Sequence, residues 1–412
     1  MEFLHARLDN GLEIIAECNP HAHGEAVGLF VRTGSRDETD ELAGVSHFLE
    51  HMTFKGTTSR SAEEFNRAFD DIGAYCNAFT TEEATVYFTA MLPEYQERAL
   101  ELLADLLQPA FRPEDFETEK QVVLEEIRMY EDQPPFGADE KCRSLFFGAH
   151  PLGRNILGTL QSISAMTVEA MREYYQQRYA PGNITLAAAG RVDFERLVAS
   201  AQRYCGSWAP RPVRQATAPV QPQEHFQLLP KPLAAQQYVI QLSAAPGADH
   251  PARYAANLLA MILGDETGSR LFWALVDPGL AETAALSYSE YREIGVFSTF
   301  LCSTPEQTPK NLQMVRTIYD RAAGVEPITA EELRLAKSKL CSHLVLASER
   351  CQNRLFAVGA EWIQRCRYLS VQEELEAIRQ VSLEEVQSVL VDFPLNRAAT
   401  VAIGPLTRLE IP

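Results

Sequence analysis

Apolar and polar residues alternate with two periods along this chain, and the changes of period mark its elements. Apolar positions flank Asn10-Gly11 within residues 8–17, the pattern of a strand, a tight turn and a second strand. Residues 26–33 (AVGLFVRT) read as a further apolar strand, ended by the polar loop 34–41. Over 42–54 the period lengthens to that of a helix. Ser61-Ala62-Glu63-Glu64 has the form of a capping box opening a second helix over 62–72. Residues 74–90 alternate again and are rich in Thr, Tyr and Phe, which predicts a pair of strands. Amphipathic helices are predicted over 93–107, 113–131 and 167–179, and a buried strand over 183–190 (NITLAAAG).

At Trp208 the helical pattern stops. Pro210, Pro212, Pro219, Pro222, Pro230 and Pro232 lie in a polar stretch, 208–232, that reads as a linker. Beyond it the order of events repeats. A strand is predicted over 237–244 and a helix over 252–263, and Thr329-Ala330-Glu331-Glu332 opens a long helix much as Pro113-Glu114-Asp115 does. Residues 382–390 and 398–404 then echo 167–179 and 184–190. A duplicated α/β domain explains this order, with copies at 1–207 and 233–412. The length of 412 residues, too great for one ordinary core, points the same way.

With 46% hydrophobic and 23% charged residues the composition is that of a globular protein. No apolar run of about eighteen residues exists to span a bilayer. The first eleven residues lack the basic and apolar regions of a secretory signal and the Arg-rich character of a transit peptide, so a cytoplasmic protein is expected. Eight scattered cysteines without a CxxC pair read as thiols in a reducing compartment. The formal charge of −19 argues against nucleic acid as a partner. Concentrated on a cavity wall it would favour basic peptides; spread over the surface, the plainer reading, it serves solubility.

One segment carries chemistry. His47-Phe48-Leu49-Glu50-His51 falls in the helix predicted over 42–54, and the i, i+4 spacing stacks both imidazoles on one face, as two ligands of one ion require. Glu50, three residues after His47, lies on the same side, within reach of a metal-bound water. The competing reading is two histidines that merely share a helix face. A catalytic zinc needs a third protein ligand and an open position. Glu119 and Glu126, seven apart on a separate helix, share a face, while Glu125 points elsewhere. One of the pair could ligate and the other hydrogen-bond an imidazole; a solvated acidic face is the alternative.

Three stretches, HFLEHMTFKGT from His47, NAFTTEEATVY from Asn77 and EKQVVLEEI from Glu119, resemble the pitrilysin/insulysin superfamily, peptidase family M16. They are most similar to its branch of about this chain's length, which contains bacterial processing proteases and the mitochondrial processing peptidase. LDNGL from Leu8, RYAPGN from Arg178 and GSRLF from Gly268 extend the resemblance nearly end to end. The resemblance implies an α+β fold of two tandem homologous domains, each a mostly antiparallel sheet packed with helices, together forming half of a clamshell. It implies a zinc endopeptidase acting on unfolded peptides or leader-like segments inside a closed chamber, with one zinc held by His47, His51 and Glu126. Glu119 would support a ligand and Glu50 would be the general base. Asn77, Ala78 and Phe79 would lie on an edge strand that pairs with extended substrate. The second half has no ligands at the corresponding position, near 258–264, so only the first half would be catalytic.

In one place the chain departs from the pattern. The family's second half carries an Arg and a Tyr, seven apart, around a Gly-Leu-Ala tripeptide; here Glu282 stands at the Tyr position and no Arg precedes it. Either Arg270, Tyr288 or Tyr291 substitutes, or the pair comes from another subunit. The second option makes this chain the zinc-bearing member of a heterodimer, with a homodimer as the alternative. Two other functions compete: a non-catalytic core subunit of the same fold, as in respiratory complexes, and a dedicated maturase that trims one leader.

Overall fold

The computed structural model describes residues 1–132, 135, 137–213 and 219–411. These residues form two compact units that interleave along the chain. The first comprises Met1–Ile127, Asn155–Thr217 and Val345–Leu369; the second comprises Arg128–Arg154, Ala218–Leu344 and Ser370–Pro412.

The first unit is built on six strands, β1 (Glu2–Arg7), β2 (Glu13–Cys18), β3 (Glu25–Val31), β4 (Tyr75–Thr80), β5 (Thr85–Met91) and β6 (Ile184–Gly190), in the order β1-β2-β6-β3-β5-β4. Its pairings are antiparallel except that of β2 with β6. The second unit has β7 (Phe226–Pro230), β8 (Gln237–Ala245), β9 (Thr283–Glu290), β10 (Gly295–Ser303) and β11 (Ala398–Gly404), in the order β7-β11-β8-β10-β9. Again a single pairing, β7 with β11, is parallel. Strand for strand β2 to β6 match β7 to β11, so the internal repeat read from the sequence exists as topology. The fold is α+β, two sheets each covered by helices.

Both faces of the first sheet are covered, which is why β3 and β6 are buried at every position. On one face Ile14, Val27, Leu29 and Leu186 share a core with Leu100 and Leu103 of the helix Gln96–Leu106 and with Leu197 of Phe194–Cys205. On the other, Ile15, Phe30 and Ala187 pack with Leu355 and Val358 of the helix Cys351–Arg365. That helix comes close: a Cβ at Gly359 would fall 2.2 Å from the Phe30 ring, so the crossing requires glycine. It also brings Arg354 to Glu17 of β2 in a two-pronged, buried pair, with bonds of 2.8 and 2.5 Å.

The division into 1–207, a linker at 208–232 and 233–412 therefore differs from these units at two segments. Residues 345–369 join the first unit and 128–154 the second, where Cys142 and Phe146 of the helix Ala138–Phe147 pack with Ile240, Leu242 and Val401. Amphipathic periodicity records that a helix has an apolar face; it does not record which sheet that face covers. The proline-rich stretch is also not all linker. Residues 214–218 of it lie outside the described residues, but Phe226–Pro230 is strand β7, with Pro230 at the end of an edge strand, where a missing N–H costs no ladder bond.

No described helix is long and apolar enough to cross a membrane. All eight cysteines are free thiols.

Candidate metal centre

The His47-to-His51 motif lies on the helix Val45–Thr53 in the first unit. Gly44 starts this helix in a left-handed conformation, φ +90°, and a Cβ there would fall 2.5 Å from the carbonyl oxygen of Leu157. The buried Glu38 carboxylate caps the helix, accepting from Gly44 N at 2.7 Å and Ser46 N at 2.8 Å, which sets a negative charge on its positive end. Beneath the same turn the hydroxyls of Ser46 and Tyr174 are 2.7 Å apart and those of Tyr174 and Thr33 2.9 Å apart. Arg178 adds a bond to Thr33 and an ion pair with Asp37. Part of the RYAPGN stretch is thus an anchor under the motif helix.

Phe48, Leu49 and Met52 bury one side of this helix, and Phe48 stacks on Phe116 of the helix Pro113–Asp132. The other side carries His47, Glu50 and His51. The Nε2 atoms of His47 and His51 lie 3.8 and 3.7 Å from Glu126 Oε2, and one donor atom from each of the three residues lies within 4.8 Å of the others. Glu119 stands differently. Its Oε2 is 3.2 Å from His51 Nδ1, the ring nitrogen turned away from the convergence, and its Oε1 is 2.6 Å from Lys55 Nζ. Spacing alone left open which glutamate could ligate; the geometry gives Glu126 to both Nε2 atoms and Glu119 to the outer nitrogen of His51.

Two imidazole nitrogens and one carboxylate oxygen converging in this way fit a zinc ion with an open coordination position. The electrostatics fit as well. Burial, helped by His51, pushes the His47 pKa down to about 3, so its imidazole is a neutral donor. Burial would lower His51 too, but the Glu119 bond and the charges of Glu126, Glu119 and Glu50 outweigh it and raise it. Burial would raise Glu119, yet its bonds to His51 and Lys55 hold it below the usual carboxylate range. Burial raises both Glu126 and Glu50, partly opposed at Glu126 by His51 and at Glu50 by Thr80 and His51. His47 Nδ1 is buried without a hydrogen-bond partner among the described residues.

Two residues at the site had not been singled out from the sequence. Thr80 donates its hydroxyl to Glu50 Oε2 at 2.6 Å, and Lys55 reaches Glu119. Neither threonine in a threonine-rich strand nor lysine after a helix carries a signal of its own. Thr80 ends β4, the edge strand on which Asn77 and Phe79 are exposed and Ala78 is buried.

In the second unit, Glu282 lies beside Gln236 and Cys302. Leu275, seven residues before it, is fully buried in a short π-helix, Phe272–Val276. The Arg270 guanidinium is spent on Glu332 and on the carbonyls of Glu326 and Pro327. Tyr288 donates to the Pro246 carbonyl, and the buried Tyr291 accepts from Arg143. All three candidates to replace the Arg/Tyr pair are engaged locally.

Comparison with known proteins gives a consistent picture. The insulinase (peptidase family M16) profile matches residues 13–160, and the peptidase M16 inactive domain profile matches residues 165–340. An uncharacterized zinc protease of Mycobacterium tuberculosis is 33% identical over 97% of this chain and 92% of its own length. One from Bacillus subtilis is 31% identical over 96% of this chain and 97% of its own. Among solved structures, a protease from Helicobacter pylori superposes with a TM-score of 0.91 at 20% identity, covering 98% of this chain and 99% of that one. A peptidase M16 inactive domain from Pseudomonas fluorescens gives 0.90 at 18% identity, covering 100% and 99%. At these identities the structures speak to the fold alone.

Proposed function

Because the chain belongs to peptidase family M16, with zinc proteases among its relatives, we propose that it is a zinc-dependent endopeptidase of unfolded peptides or leader-like segments. The convergence of His47 Nε2, His51 Nε2 and Glu126 Oε2 beside Glu50 carries this reading. These three residues would hold one zinc per chain, which when bound would polarise the scissile carbonyl and acidify water. Glu119 accepts the Nδ1 proton of His51 and keeps Nε2 turned toward His47 Nε2 and Glu126 Oε2, where a metal would be held. Glu50 is the general base. Its Oε2 is held by the Thr80 hydroxyl, and the carboxylate so oriented would receive the water proton and pass it to the leaving amine.

Substrate placement follows from β4. It is an edge strand with one unpaired side, so an extended peptide can add to it by backbone hydrogen bonds, with Asn77, Ala78 and Phe79 in contact. Segments already folded into a sheet or helix have no backbone groups to offer, so compact proteins would be spared.

The family's Arg/Tyr pair, which the resemblance implies would bind the substrate carbonyl and the developing oxyanion, belongs on this reading to a homologous partner subunit. The support is that Arg270, Tyr288 and Tyr291 are all engaged and that Leu275 is buried. The test is cleavage of a quenched, unstructured peptide by the zinc-loaded chain beside its Glu50→Gln variant. Loss of turnover by about 10²–10⁴-fold with zinc content unchanged is expected of a general base, measured alone or with the partner added. Unchanged hydrolysis in the variant would exclude Glu50 as base, and a tightly associated, fully active homodimer would exclude the partner.

A further inference from the structure

The metal centre has a cation that the proposed chemistry does not use. Lys55 lies four residues beyond His51, just past the end of the helix Val45–Thr53. Its backbone is pinned: the Lys55 carbonyl accepts from Arg112 Nη1 at 3.2 Å, and Arg112 Nη2 also holds the Thr57 carbonyl at 2.6 Å. Its amine sits 2.6 Å from Glu119 Oε1, while Glu119 Oε2 faces His51 Nδ1 at 3.2 Å. The Glu119 side chain is only 5% exposed and that of Lys55 37%.

We propose that Lys55 is a positioning residue for the metal centre: it clamps Glu119 so that this carboxylate orients His51 and does not itself turn to the ion. Glu119 shares a helix face with Glu126, two turns away, so a freed Glu119 would be a rival oxygen ligand as well as a nearly buried carboxylate short of one partner. Each of its oxygens is committed instead, one to the ammonium and one to the imidazole. The clamp matters more because the support is one-sided: His47 Nδ1 has no acceptor among the described residues, and the hydrogen bond that orients a ligand imidazole is the one between Glu119 and His51.

This inference rests on the zinc reading, and its test separates the two. Zinc dissociation constants are measured by chelator competition for the wild type, Lys55→Met, Lys55→Arg, Glu119→Gln and the Lys55→Met/Glu119→Gln double variant, with melting of each metal-free protein recorded alongside. Lys55→Met should weaken zinc by about 10–100-fold, as loss of an outer-shell support does. Lys55→Arg should recover most of that loss, and Lys55→Met should add nothing once Glu119 is Gln. Zinc affinity in Lys55→Met within about twofold of wild type, or losses that simply add in the double variant, would overturn the clamp. A wild-type chain that binds no zinc would overturn the metal reading itself, and the clamp with it.

Discussion

Thr80 donates its hydroxyl to Glu50 Oε2 at 2.6 Å, joining the last residue of the edge strand to the carboxylate proposed as general base. The bond does two things. It holds a buried carboxylate in one orientation, and it links the strand proposed to carry substrate to the group that would activate water. Removing the hydroxyl while keeping the shape, in Thr80→Val, should lower kcat by about tenfold to a hundredfold, the worth of a hydrogen bond to a charged group. KM and zinc stoichiometry should hold, and Thr80→Ser should restore most of the rate. A rise in KM with kcat unchanged would place Thr80 in substrate binding alone.

That bond also shows where reading the sequence stops. His47 and His51 were legible because helical spacing fixes which side chains share a face, and so was the face shared by Glu119 and Glu126. Their division of labour was not legible from spacing, since it depends on the angle at which Pro113–Asp132 meets Val45–Thr53; only the family resemblance implied it. The repeat of strand order was legible from the succession of elements. The place of the helix Cys351–Arg365 was not, because its match to the first sheet is made by Gly359 against Phe30 and by Arg354 against Glu17, contacts between residues more than 300 apart. Strand β7 was hidden by the prolines around it and by Pro230 at its end, which composition counts as linker and an edge strand tolerates.

Metal removal should act on stability as well as on rate. At free zinc a hundredfold above its dissociation constant, a site formed only in the folded state adds about 2.7 kcal/mol. For a unit of this size that is roughly 5–10 °C in melting temperature. Chelation should abolish cleavage and lower the transition by that amount, and zinc should restore both. In His51→Ala, zinc should leave the melting curve where it is; an equal shift in that variant would place the stabilising ion elsewhere.

Arg354 tests whether the helix Cys351–Arg365 is integral to the first unit. The Glu17 carboxylate is buried and takes both prongs of the guanidinium, with the Tyr368 hydroxyl at 2.7 Å. Arg354→Met leaves that carboxylate without its cation, at a cost of about 3–5 kcal/mol in denaturant unfolding. The double variant Arg354→Met/Glu17→Leu should recover much of the loss, because exchanging a whole buried pair for apolar groups is often neutral. Losses that add in the double variant would mean that the two side chains do not depend on one another.

Glu25 gives the stability a pH dependence of known sign. It is fully buried at the start of β3, with both carboxyl oxygens lacking partners among the described residues. Burial, helped by Asp193 and opposed by Arg196, pushes its pKa up to about 9; neighbouring Cys18 is pushed up to about 11, chiefly by burial, with Glu25 among the charges that add to it. Between an ordinary carboxyl pKa and about 9 the folded chain therefore keeps a proton that the unfolded chain releases, so this group's contribution to stability falls as pH rises, by about 1.4 kcal/mol per unit. Glu25→Gln is nearly the same shape and cannot ionise, so it should remove that slope. The stability of the variant relative to wild type should rise by about 3 kcal/mol between pH 5 and pH 7 in denaturant titrations. A difference that stays constant across those pH values would mean that Glu25 ionises in the folded protein as readily as in the unfolded chain.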